Sequence, residues 1–159
     1  MREITTILAP IDFSENAHKI AEAAVYVAGK FKARLHFVFV VQDFEDYTGF
    51  MAPPVNMISL KEEIFESAQH QMTAYIKEID KKVKDAGIPG VQSKVLTGDI
   101  AEEIMNYGKT YNCDLIVMGT HGYKGFERII FGSIADKVVK NACCPVMTIN
   151  PYEEECEQD

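Results

Sequence analysis

Gly119-Thr120-His121-Gly122-Tyr123-Lys124-Gly125-Phe126-Glu127-Arg128-Ile129-Ile130-Phe131-Gly132-Ser133 is a glycine-punctuated stretch between two segments of opposite character. Before it, Leu115 to Met118 is wholly apolar and reads as a buried strand. After it, Ile134 to Asn141 reads as a helix. A strand, a glycine loop and a helix start is an arrangement that binds phosphate. Glycines let the chain take positive φ and let backbone N–H groups approach an anion. The N–H groups of a helix start carry partial positive charge, and Ser133 adds a hydroxyl there. The competing reading is that these glycines only turn the chain.

Outward from this stretch, strand and helix patterns alternate. Thr5 to Ala9 is a short apolar run ended by Pro10. Ser14 is a candidate N-cap, followed by Ala17, Ile20, Ala21, Ala24 and Val25 at helical spacing up to about Lys30. Leu35 to Val41 is apolar without alternation, which suits a parallel strand buried on both faces. Residues 42 to 57 read as a long loop, marked by Asp43, Asp46, Gly49, Pro53, Pro54 and Asn56. Its Phe44, Tyr47, Phe50, Met51 and Met57 either cover a site, meet a partner or pack locally. Leu60, Ile64, Ala68, Met72, Ile76, Ile79, Val83 and Ala86 then mark one face of a long helix, stopped by Gly87 to Gly90. Val91 to Thr97 alternates like an edge strand. Asp99 to Tyr111 reads as a helix, and Pro145 to Ile149 as a fifth strand. Five strands separated by helices predict a doubly wound α/β fold, a five-stranded parallel sheet with helices on both faces. In such sheets ligands bind beyond the carboxyl ends of the strands, where strand order reverses. If the first strand neighbours the fourth, Pro10, Ile11 and Asp12 lie beside the glycine loop.

Composition narrows the classes of function. A chain of 159 residues with 47% hydrophobic and 25% charged content suits one domain, residues 1–159, with an acidic tail from about 151. No run approaches the roughly 20 apolar residues that span a bilayer. The opening segment lacks the apolar length of a signal peptide, so a cytoplasmic location is expected. Net charge is −8, from 24 acidic and 16 basic side chains, which argues against a nucleic-acid surface. Cys113, Cys143, Cys144 and Cys156 form no CxxC pair and stand at no ligand spacing from histidine, so neither zinc nor a disulfide framework is expected. Packing is the reading for Cys143 and Cys144.

The glycine loop fits G-x2-G-x9-G-[S/T] at Gly119, Gly122, Gly132 and Ser133. In this it resembles the universal stress protein family, in its ATP-binding branch. Ile7 to Ser14 is similar to the family's opening strand and Pro-x-Asp turn. Thr97 to Ile104 is similar to its third strand-to-helix turn, and Cys144-Pro145-Val146 to its closing strand. The resemblance covers essentially the whole chain and implies a Rossmann-like fold of the adenine nucleotide alpha hydrolase type. It further implies ATP as ligand, with Mg2+ or Mn2+ as optional companion. By position, Asp12 and the backbone at Pro10 and Ile11 would meet adenosine, and Val40 would hold adenine through its backbone. Gly119, Gly122, Gly132 and Ser133 would cradle the phosphates, Ile134 would continue that loop into the helix, and Met118, His121 and Lys124 would also belong to the nucleotide site. A homodimer through Val146 to Ile149 is also implied. Two departures stand out: Phe13 where the family often has glycine, and Ile100 where proline is frequent.

Individual residues keep two readings each. Asp12 either makes an Asx turn or accepts from a ribose hydroxyl or adenine amine. Lys124, and less so Arg128, either neutralises phosphate or stays a solvated cation. His121 either donates to a phosphate oxygen or only spaces the loop. His18, His36 and His70 read as structural or exposed. Ser133 reads as a helix cap rather than a nucleophile. The loop lacks the Lys-[Ser/Thr] of G-x4-G-K-[ST] and any clear means of placing water and Mg2+. No catalytic residue is assigned. The expectation is an ATP-binding regulatory protein with little or no turnover; a slow ATP-using enzyme and a ligand-free scaffold remain the alternatives.

Overall fold

In the computed structural model residues 2–43, 55–120 and 132–152 are described. The elements are β1 (Thr6–Pro10), α1 (Ala17–Phe31), β2 (Arg34–Gln42), α2 (Val55–Asp85), β3 (Val91–Gly98), α3 (Ile100–Thr110), β4 (Leu115–Gly119), α4 (Ser133–Asn141) and β5 (Val146–Ile149). All five strands pair in parallel, in the order β3-β2-β1-β4-β5. The chain therefore builds outward from β1 in one direction, then restarts at β4 on its other side. The expected strand reversal lies between β1 and β4.

Side-chain alternation sends each strand's residues to two separate cores. Ile7, Ala9 and Ile11 join Leu35, Phe37, Leu115 and Val117 under α1 and α2. Leu8, Val38, Val40, Ile116 and Met118 pack against α3 and α4. Because both faces are covered, β1, the middle of β2 and β4 read as unbroken apolar runs. β3 lies at an edge as expected, but its burial does not alternate: Gln92, Ser93 and Lys94 are exposed in succession and Val95 and Leu96 are both half-buried.

Several local expectations are corrected. Ser14 does not cap α1: the helix begins at Ala17 with Asn16 at the cap position and no side-chain bond there. The Ser14 amide instead donates to Asp12 Oδ1 at 3.0 Å, an Asx turn. α2 begins at Val55, so residues 55–57 are helical rather than loop; residues 44–54, with Phe44, Tyr47, Phe50 and Met51, lie outside the described residues. Leu60 and Ile64 stay exposed (53% and 45%), and burial of the α2 stripe starts at Ala68. The helix outruns the sheet face that would cover its first turns. The acidic run from Glu153 to Asp159 lies outside the described residues, but Pro151 before it is held to the domain. It is buried, and its carbonyl accepts from Lys19 Nζ at 2.7 Å. Cys143 is exposed rather than packed, while Cys144 lies against the α3–α4 core.

Candidate functional site

The β1–β2 ladder runs to Pro10–Val38 and the β4–β5 ladder to Gly119–Ile149. Between β1 and β4 the ladder pairs only Ile7–Leu115 and Leu8–Ile116. The two central strands thus stop pairing two residues before Pro10 and Met118, which leaves a gap in the ladder at the carboxyl edge, the place where sheets of this kind bind ligands. Pro10, Ile11 and Asp12 stand on one side of it, Met118 and Gly119 on the other.

Val40 turns its backbone toward the carboxyl end of β1. The Ile11 amide bonds the Val38 carbonyl at 2.9 Å, so Val38 directs its backbone groups toward β1. Alternate residues of a parallel strand point the same way. Val40, two residues on, therefore turns its N–H and C=O toward the β1 side, beyond the last β1–β2 pair. The strand itself continues to Gln42, so Val40 is not its final residue.

The segment after β4 leaves at Thr120 and returns at Gly132. The Gly132 amide donates to the Thr120 carbonyl at 2.8 Å, which seats the start of α4 at the end of β4. Gly132 is the N-cap residue of α4 and Ser133 its first helical residue, with no side-chain cap bond. This corrects Ser133 as the cap. The first amides of any helix have no intrahelical acceptor, and a glycine at the cap position supplies no side-chain acceptor for those of Ser133 and Ile134. His121, Gly122 and Lys124, with Gly125 and Arg128, lie outside the described residues.

A shallow, open cleft of about 130 Å3 lies beside α4, lined by Gln42, Asp99, Ile100, Ala101, Ser133, Ile134 and Lys137. Only Ser133 and Ile134 among these were expected. Asp99 is held there by Gly98, which has φ +147°. At that φ an L side chain is strained, and a Cβ there would also stand 2.9 Å from Glu103 Cγ, whose side chain would have to shift. The Asp99 carboxylate caps α3 by accepting from the Glu102 amide at 2.9 Å. That bond is the main reason its pKa is lowered; burial works against it and Lys137 adds to it. Lys137 Nζ lies 3.2 Å from both Asp99 Oδ1 and Glu102 Oε1, and these carboxylates raise its pKa. Ile100 occupies the first position of α3, where the N–H has no helical acceptor and proline fits equally well, which accounts for that departure. Lys137 was missed, although its signal was present: it stands four residues after Ser133, on the same helical face.

Phe13 is resolved by its backbone. Its φ is 57°, in the left-handed region that glycine favours. Its ring packs 4.8 Å from Phe39 and 6.2 Å from Tyr75, in the α1–α2 core and not in the α3–α4 cleft. His36 is buried beside Tyr107, whose hydroxyl lies 3.2 Å from Nδ1; burial, then Arg34, lowers the His36 pKa. It is structural, as expected, while His18 and His70 are exposed. No group of three metal-ligating side chains occurs among the described residues, and no described helix is long and apolar enough to cross a membrane.

Comparison with known proteins agrees with this architecture. A universal stress protein of Methanocaldococcus jannaschii is 32% identical over 149 residues, 94% of this chain and 84% of its own length. The universal stress protein UspA from Lactobacillus plantarum superposes with a TM-score of 0.80 at 24% identity, covering 94% of this chain and 100% of its own. A universal stress protein from Archaeoglobus fulgidus in complex with dAMP gives 0.59 at 18% identity, over 94% of this chain and 100% of its own. One in complex with cAMP gives 0.65 at 15%, over 94% and 99%. The model of the universal stress protein family matches residues 3–150, all five strands included, and the chain belongs to that family.

Proposed function

We propose that this protein is an ATP-binding regulator whose bound nucleotide, rather than any fast turnover, carries its signal. The observation that supports this most is the start of α4: amides without a side-chain cap, seated at the end of β4 by the Gly132–Thr120 bond, near where the β1–β4 ladder ends. Such a helix start favours an anion. In this reading Gly119, Gly122, Gly132, Ser133 and Ile134 frame the phosphates, and Met118 floors the site. Val40 meets adenine through its outward-facing backbone. Asp12 spends one oxygen on its own turn and offers the other to the ribose. Relatives of the same fold bound to dAMP and cAMP support an adenine nucleotide as the ligand class. A Mg2+ or Mn2+ ion would be held chiefly through phosphate oxygens, given the side chains described.

The remaining features follow the same reading. One domain spans residues 1–159. β5 is the outer strand beside β4, with Met147 39% exposed, and suits pairing with a second copy. Free Cys113, Cys143 and Cys144 fit a reducing cytoplasm.

The test begins with the purified protein, denatured, and its supernatant assayed for adenine nucleotide. Released ATP is expected; product nucleotide alone would favour an enzyme, and calorimetry showing no binding of ATP, AMP or cyclic AMP would overturn the proposal. Asp12→Ala should weaken ATP about tenfold, the loss of one charge-assisted contact. Unchanged affinity would remove Asp12 from the site.

A further inference from the structure

We propose that Lys137 reads the phosphate charge of the nucleotide and so sets the preference of the cleft for ATP over AMP and adenosine. The inference rests on the nucleotide-site reading above. Lys137 lies one helical turn beyond Ser133 and on the same face of α4. It is the one cation among the described residues that line the cleft.

Its present partners hold it loosely. The Lys137 side chain is 43% exposed, Asp99 42% and Glu102 62%. Ion pairs as exposed as these contribute little, because water screens both charges. A polyphosphate in the cleft presents several oxygens and more negative charge to the same ammonium, in a site that its own binding dries. The flexible four-carbon stem lets the ammonium move between acceptors without movement of α4.

Release of Lys137 leaves α3 intact. Asp99 Oδ1 accepts from the Glu102 amide independently of the lysine, so the cap of α3 persists. Lys140, one turn further along, is paired with Asp136 at 2.9 Å and does not line the cleft. It provides a matched control of the same charge on the same helix.

The test is calorimetry of the full chain with ATP, AMP and adenosine, at low and at physiological salt. Lys137→Met is expected to weaken ATP about tenfold, equal to about 1.4 kcal/mol. AMP should lose less, and adenosine should be unchanged. Lys137→Arg should restore most of the ATP affinity, and Lys140→Met should match wild type. The ATP deficit of Lys137→Met should shrink as salt rises. An equal loss for all three ligands, or none for ATP, overturns the role of Lys137 and leaves the nucleotide site standing. Wild-type protein that binds none of the three overturns the site reading, and this inference with it.

Discussion

Replacing Phe13 by glycine and by alanine separates two energies that the native residue combines. At φ 57° an L side chain crowds its own backbone, which costs about 1–2 kcal/mol relative to an unstrained conformation. Against this stands the ring, half-buried on Phe39 and Tyr75. Removing a fully buried phenylalanine costs about 3–5 kcal/mol, and a half-buried one about 2. Both variants lose the ring, so both should be less stable than wild type. Only glycine also sheds the steric penalty. It widens the unfolded ensemble in exchange, by about 0.4–1 kcal/mol relative to alanine. The difference leaves Phe13→Gly more stable than Phe13→Ala by roughly 0.5–1 kcal/mol. Urea unfolding followed by circular dichroism resolves that gap, provided both variants share one denaturant slope. At this chain length each kcal/mol moves the melting temperature by about 2–4 °C. Alanine more stable than glycine would refute the strain argument.

Two further substitutions test single hydrogen-bonding groups. Asp114 Oδ2 accepts from the Thr5 amide at 3.0 Å, the Thr5 hydroxyl at 2.9 Å and the Thr6 amide at 3.1 Å, pinning the entry of β1 beside β4. Burial alone would raise its pKa, but these bonds outweigh it and the net shift is downward. A lowered folded-state value means that the stabilisation is full above the ordinary carboxylate range near 4 and is lost as pH falls through the folded value. Asp114→Asn should therefore cost about 1–2 kcal/mol near neutrality and progressively less in acid; a gap independent of pH would show that the charge is irrelevant. Tyr75→Phe should be neutral or stabilising by up to about 1 kcal/mol, because the buried Tyr75 hydroxyl has no hydrogen-bond partner among the described residues. Burial, then Glu78 and Glu22, push that hydroxyl's pKa up to about 12. A clear loss of stability would reveal a partner such as an ordered water.

Much of the architecture was legible because parallel strands covered on both faces must be apolar throughout. Leu35 to Val41 and Leu115 to Met118 could be little else, and the polar residues Gln92 to Lys94 match the edge position of β3, although its burial does not follow a strict alternation. Local chemistry was less reliable. Ser14 and Ser133 both carry good capping side chains, yet neither caps. In the first case Asp12 captures the Ser14 amide and Phe13 turns the chain, delaying the helix to Ala17. In the second, the Thr120 carbonyl takes the Gly132 amide, and that places Ser133 already inside the helix. Leu60 and Ile64 had the right spacing for a buried stripe, but periodicity says nothing of how far a helix runs beyond its sheet.

By itself the sequence determined which segments are strands, that they must be parallel, and that a glycine-rich turn precedes a helix start. Those properties depend on residue type and spacing along the chain, which are local. The tertiary structure alone decided that β1 lies beside β4, that their ladder ends at Leu8–Ile116, and that Gln42, Asp99, Ile100 and Lys137 share one cleft with Ser133. Residues 42, 99 and 137 come from three different strand-to-helix units. Only the packing of α3 and α4 on one face of the sheet brings their side chains within reach of each other, and no pattern along the chain encodes that distance.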